Sequence, residues 1–247
     1  MGTLYHAAMR LITLLSVLFL AAIAPAFAGP FDDGMAAYKK GDWGKAFEIL
    51  KPIAEAENSQ SAVAQERIAH LYERGNGTPK DITAAAKYFQ KAATAGDATA
   101  AAHLGRFYRL GLGVPKNGVE ASRWSIKGAA QGNAIAESNL GYMALEGMGG
   151  PADAVAAAGW FKRSADQGDA SAMLGLGGLY EQGRGVPKDV VLARKWYVLA
   201  SVDDGEYDPD TFARAKKAAE ALAGKMTPAQ VAQADKLVAD FKPTVKR

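Results

Sequence analysis

The chain has 247 residues, of which 49% are hydrophobic and 22% charged, an ordinary balance for a globular protein. A formal charge of +3 is too small a surplus to argue for a nucleic-acid partner. The absence of cysteine excludes disulfides, thiolate metal sites and a thiol nucleophile, so packing alone must hold the fold.

At the N-terminus, His6 and Arg10 precede an apolar run from Leu11 to Ile23, and the segment closes on Ala26-Phe27-Ala28. This is the pattern of an export signal cleaved after a small-x-small site, so the expected mature chain begins near Gly29, outside the cytoplasm. The run is shorter than the ~20 residues that a spanning helix needs, which argues against a retained anchor. Residues 29–61 then read as a helix pair, marked by Gly34, Ala37-Tyr38, Gly41-Asp42-Trp43, Ala46, Leu50 and Ala54, with Pro52 expected to bend the second helix.

From Ala62 the sequence repeats itself. Segments beginning at Ala62, Ala98, Ala134 and Ala170 align without a gap at a spacing of 36, giving units 62–97, 98–133, 134–169 and 170–206. In each first helix a large apolar residue (Ile68, Leu104, Leu140, Leu176) is followed by a small one (Ala69, Gly105, Gly141, Gly177). Three residues later stand Tyr72, Tyr108, Ala144 and Tyr180. This helical spacing describes a face on which another helix can lie closely.

Gly75, Gly111, Gly147 and Gly183 supply the left-handed stop, and Pro79, Pro115, Pro151 and Pro187 prevent continuation. Asp81, Asn117, Asp153 and Asp189 are expected to cap the second helix of each unit. That helix carries Ala85, Ala121, Ala157 and Ala193, then Tyr88, Trp124, Trp160 and Trp196. Recurrence at one offset marks these rings as core, because each unit buries its apolar face only against its neighbours. Asp97, Asn133 and Asp169 should cap the next unit, and the fourth copy decays at Asp203-Asp204-Gly205. The third copy departs locally, with Ala144 in the aromatic position and Gly149-Gly150-Pro151 in the loop.

Residues 207–247 should close the array with two helices. Asp208-Pro209 and Thr227-Pro228 open them, Gln230 completes a capping box with Thr227, and the spans run from Pro209 to Ala223 and from Pro228 to Phe241. The expected fold class is therefore all-α: a right-handed solenoid of stacked antiparallel helix pairs with a capping unit at each end.

The stretch from Ala98 to Asn133, with Leu104-Gly105, Tyr108, Gly111-Leu112-Gly113-Val114-Pro115, Trp124, Ala129-Ala130 and Gly132-Asn133, resembles the Sel-one-like repeat family, relatives of tetratricopeptide repeats. The resemblance implies a protein-binding scaffold or adaptor in envelope assembly or signalling, with no cofactor. A polysaccharide-export scaffold is a variant of the same reading. A second reading, a cell-wall ligand binder or β-lactam-interacting hydrolase, follows from cysteine-rich members linked to β-lactam binding, whose cysteines this chain lacks.

By the same resemblance the first helix of each unit lines a concave surface. The binding positions expected there are Glu66, His70, Glu73, Arg106, Arg109, Tyr142, Leu145 and Glu181, on the premise that they are free of packing constraint. A wall passing from acidic through basic to apolar suits an extended or helical protein segment better than a nucleic acid. The two histidines beyond the export segment, His70 and His103, could with Glu66 and Glu73 bind a metal on one face, since Glu66 and His70 are one turn apart. His70 and His103, however, stand at different offsets on successive first helices and need not converge, so the expectation is a solvated polar face without a metal. No nucleophile, base and orienting acid stand in a recognisable arrangement, and the glycine pairs lack the preceding strand of a phosphate loop.

Overall fold

The computed structural model describes residues 29–56, 58–202 and 209–244. The proposed export signal, Asp208 and the decayed end of the fourth copy at Asp203-Asp204-Gly205 lie outside the described residues. Among those described there are twelve α-helices and no strands. In chain order they are α1 (Pro30–Lys39), α2 (Trp43–Glu55), α3 (Ser61–Arg74), α4 (Ile82–Thr94), α5 (Ala98–Leu110), α6 (Gly118–Ala130), α7 (Ala134–Glu146) and α8 (Ala154–Asp166). The series continues with α9 (Ala170–Gln182), α10 (Val190–Ala200), α11 (Pro209–Ala223) and α12 (Pro228–Ala239). Sequential helices pair, and each pair packs on the next, as in an α-solenoid. Pro52 lies in the last turn of α2, which continues to Glu55.

Local chemistry sets the helix limits. Asp81 accepts Ala84 N–H, Asn117 accepts Val119 and Glu120 N–H, Asp153 accepts Ala156 N–H, and Asp189 accepts Val191 and Leu192 N–H. Asp97, Asn133 and Asp169 do the same for the following first helices. Gly75, Gly111, Gly147 and Gly183 end the first helices in the left-handed region, with φ between 70° and 76°.

The second loop glycine has a tertiary reason. A side-chain carbon on Gly77, Gly113 or Gly185 would overlap the backbone at the start of the preceding unit's second helix, at Trp43, Ile82 and Ala154 respectively. Gly149 breaks the series, with nothing within 4 Å of the corresponding point. The third loop therefore departs in packing as well as in sequence.

The core runs along the array between helix layers. Tyr88, Trp124 and Trp196 are buried. Trp160 is only half-buried, contrary to its expected core placement; Arg163 lies 5.0 Å over its ring, while the next residue, Phe161, fills the interior. Phe89, Ser125, Phe161 and Tyr197 share that neighbouring offset and are all buried. A side-chain carbon at Gly141 would come within 2.6 Å of the Phe161 ring, and one at Gly177 within 2.6 Å of Tyr197. The small positions of the first helices thus receive the rings of the second.

At the C-terminal end, Phe212, Ala215, Ala219 and Leu222 of α11 are buried while Lys216, Lys217 and Glu220 face water. The Thr227–Gln230 capping box opens α12, which stops two residues short of its expected end. Phe241 lies just beyond the helix, edge-on to Trp196 at 5.6 Å. Thr244 then donates to the free carbonyl of Asp166 at the end of α8, from its N–H at 2.7 Å and its hydroxyl at 2.9 Å.

Asp169 carries a titration signature. It is 1% exposed, and burial pushes its carboxyl up to about 6 against the lowering effect of the Ala172 N–H and the hydroxyls of Ser138 and Ser164. The folded chain therefore keeps this proton to higher pH than the unfolded chain, whose group titrates near 3.8. The associated stabilisation is complete below the lower value and is lost as pH rises through about 6. Asp169→Asn reproduces the native Asn133 of the previous unit and removes the titration. Urea midpoints from pH 4 to 7 should show wild type losing roughly 2–3 kcal/mol relative to the variant across this window; parallel profiles would contradict the assignment.

Candidate functional site

The eight expected positions lie on α3, α5, α7 and α9, and the structure sorts them into separate groups. Glu66, His70, Glu73 and Arg106 meet between α3 and α5, and His103 joins them. Glu66 is 3% exposed and His70 8% exposed, so the expected solvated polar face is instead an interior cluster. His70 Nε2 is 2.9 Å from Glu66 Oε1, and Arg67 holds the other oxygen of Glu66 at 3.0 Å. Glu73 Oε2 lies 3.4 Å from His70 Nδ1, while Glu73 Oε1 pairs with Arg106. The rings of His70 and His103 stand edge-on at 4.5 Å, contrary to the expectation that they need not converge. Phe89 stacks on His103 at 4.9 Å and meets His70 edge-on at 5.0 Å.

The cluster's electrostatics follow from these contacts. Burial opposes protonation of His70, but Glu66 and Glu73 outweigh it and raise its pKa. Burial likewise favours the neutral form of Glu73, yet the contact with His70 and the charge of Arg106 bring its carboxyl down to about 2. His103 is driven well below the usual imidazole range by burial and by the charges of His70 and Arg106.

A second group lies between α5 and α7. Arg109 is buried, pairs with Glu146 at 2.8 Å and lies 4.9 Å over the ring of Tyr142. Burial lowers the pKa of Arg109 despite that carboxylate. The Tyr142 hydroxyl donates to Ser171 O on α9 at 2.9 Å, and burial with the nearby charge of Asp169 pushes its pKa up to about 12. Leu145 is half-buried against the interior of the last two units. Glu181 stands apart and accepts the Tyr197 hydroxyl at 2.7 Å.

The premise that these positions are free of packing constraint is therefore corrected. His70, Glu73, Arg106, Arg109 and Tyr142 contact the neighbouring unit while Glu66 and Glu181 are held within their own, which leaves the partly exposed edges of Glu73, Arg106, Tyr142, Leu145 and Glu181 as the accessible part. Sequence reasoning missed Glu146 and the approach of His103. A usable signal was present: His70–His103, Glu73–Arg106 and Arg109–Tyr142 are all 33 residues apart, one repeat less about one helical turn. Arg109–Glu146 and Ala102–Asn139 across the same interface are 37 apart, so contacts between adjacent first helices fall on either side of the repeat spacing and facing residues do not share an offset.

Among the described residues no helix is long and apolar enough to cross a membrane. Compared with curated proteins, the chain has no significant match. Among solved structures, it is similar to c5321, a protective antigen of uropathogenic Escherichia coli strains with an SLR fold, at 32% identity and a TM-score of 0.68. That similarity covers 87% of this chain but only 45% of the antigen, so the chain spans less than half of it. A Sel1 repeat protein from Oxalobacter formigenes matches at 25% identity and a TM-score of 0.58, over 87% of this chain and 93% of that one. The immunity protein Pa5087 of Pseudomonas aeruginosa, at 20% identity and a TM-score of 0.50 over 84% and 83% of the two chains, shares the fold.

No catalytic family is evident among these relatives, and repeats of this kind commonly bind proteins. The profile of the Sel1 repeat matches residues 62–97, 98–133, 134–169 and 170–201, and with the stacked helix pairs this settles the lineage: the chain belongs to the Sel1 repeat family.

Proposed function

We propose that this protein is an exported, non-enzymatic scaffold that uses the first-helix side of its array to hold an extended or helical segment of a protein partner, in the periplasm or outside the cell, during envelope assembly or signalling. The observation that carries this reading is the tethering of that side. Arg106, Arg109 and Tyr142 are each held by a neighbouring unit, so a partner would meet positioned groups and pay little ordering entropy. The export segment supplies the compartment. The accessible chemistry passes from the Glu73–Arg106 pair to Tyr142 and Leu145, which suits a segment with both charged and apolar side chains.

The test must block this side without loosening it. Gly178 on α9 holds the repeat offset of Arg106 and Tyr142 on the two preceding first helices, and an added carbon there meets only the Tyr197 hydroxyl at 3.6 Å, an ordinary contact. Gly178→Arg should therefore keep or slightly raise the melting temperature, since glycine is a weak helix former, while projecting a long cation across the surface. Cross-linked pull-down from an envelope extract should recover a specific partner with wild type and lose at least tenfold of it with the variant. Equal recovery would overturn the use of this side.

A further inference from the structure

The cluster between α3 and α5 has an unresolved balance of donors and acceptors. His70 Nε2 faces a carboxylate oxygen of Glu66 at 2.9 Å, and a carboxylate only accepts, so one proton belongs on Nε2; Nδ1 then carries either the second proton of the imidazolium, toward Glu73, or, in the neutral ring, a lone pair. That buried Nδ1 makes no hydrogen bond, although Glu73 Oε2 is 3.4 Å away. The Nδ1 atom of His103 is also buried without a hydrogen-bond partner. One ligand atom from each of His70, Glu73 and His103 can be chosen so that all lie within 4.8 Å of one another. Two unpartnered imidazole nitrogens beside a carboxylate in a buried space need a positive charge between them, which a proton on His70 or a metal ion can supply.

We propose that His70, Glu73 and His103 form a three-ligand site for a divalent transition metal of the zinc class, which clips α3 to α5 across the first two repeats. Two imidazoles and one carboxylate form a donor set that zinc accepts, with a fourth position left for water. Glu66 acts as the outer carboxylate that fixes the tautomer and direction of His70. Phe89 fixes the plane of His103, and Arg106 occupies the other oxygen of Glu73, leaving Oε2 for the ion. With bonds of about 2.1 Å, tetrahedral ligands stand roughly 3.4 Å apart, so side-chain rotation closes the widest pair by little more than an ångström. The guanidinium of Arg106 opposes the incoming charge, so binding is weaker than at a closed structural site.

Untagged, chelator-stripped protein titrated with Zn²⁺ by calorimetry should bind one ion per chain, with a rise in melting temperature. His103→Gln should weaken binding on the order of 100-fold and Glu66→Gln about tenfold, as expected for an inner ligand and its outer support. Calorimetric binding that is absent at millimolar zinc, or unchanged in both His103→Gln and His70→Gln, overturns the site. Should those variants fail to fold by circular dichroism, imidazole nitrogen spectra of wild type decide it. Two Nδ1 signals displaced by one equivalent of zinc support the clip; signals that respond to pH alone assign the space to a proton and overturn it.

Discussion

Gly185→Ala should cost the array roughly 2–5 kcal/mol, seen as a large fall in the urea midpoint. Two effects add at this residue. Its φ of 71° lies in the left-handed region, where a side chain costs about 1–2 kcal/mol. The new methyl would also overlap the carbonyl of Ala154 at the start of α8, and relieving a clash against backbone costs about 1–3 kcal/mol more. Gly149→Ala provides the control. Its φ of 95° carries the conformational cost, but nothing stands within 4 Å of the added carbon, so a loss of about 1–2 kcal/mol is expected. Equal midpoints for the two variants would show that the fourth loop does not press on the third unit as described.

Arg163→Ala should destabilise the protein by about 3 kcal/mol although Arg163 is itself 56% exposed. The reason is its partner, Glu137, which is fully buried and has its carboxylate held by Arg163 and by Gln167 Nε2 at 2.7 Å. Removing the guanidinium strands a buried charge on one neutral donor, the situation in which breaking an ion pair is most costly. Adding Glu137→Gln to Arg163→Ala should recover most of the loss, giving a coupling of about 2 kcal/mol in the cycle. The exposed pair Lys162–Asp166 on the same helix supplies the contrast, with less than about 0.5 kcal/mol expected on its removal. A loss that small for Arg163→Ala would mean that Glu137 reaches water in solution.

The first prediction concerns a contact that joins one repeat to the next and the second a contact between the two helices of one repeat, and contacts between helices are where the sequence was least informative. Within a helix and its loop it was legible because the causes are local. Asp81 and Asp97 cap by reaching N–H groups three residues ahead, and Gly111 stops α5 by its own backbone freedom. The candidate site was legible only in part. Glu66, His70, Glu73 and Arg106 do come together, but as a buried cluster completed by His103, and Arg109 is held under Glu146. Burial depends on how closely the next helix approaches, and no residue's type reveals that by itself.

By itself, then, the sequence determined the all-helical array, the spacing of 36, the helix limits and the small-against-large logic of the packing, since each follows from propensities and side chains acting within a few residues. The tertiary structure alone decided the offsets of 33 and 37 at which first helices meet, the choice of Phe161 over Trp160 for the interior, and the pressing of Gly185 on α8. These depend on the distance and rotation between helices, which are set where Gly141 receives Phe161 and Gly177 receives Tyr197. Periodicity along a chain counts turns within one helix; it carries no measure of how far the neighbouring helix is turned.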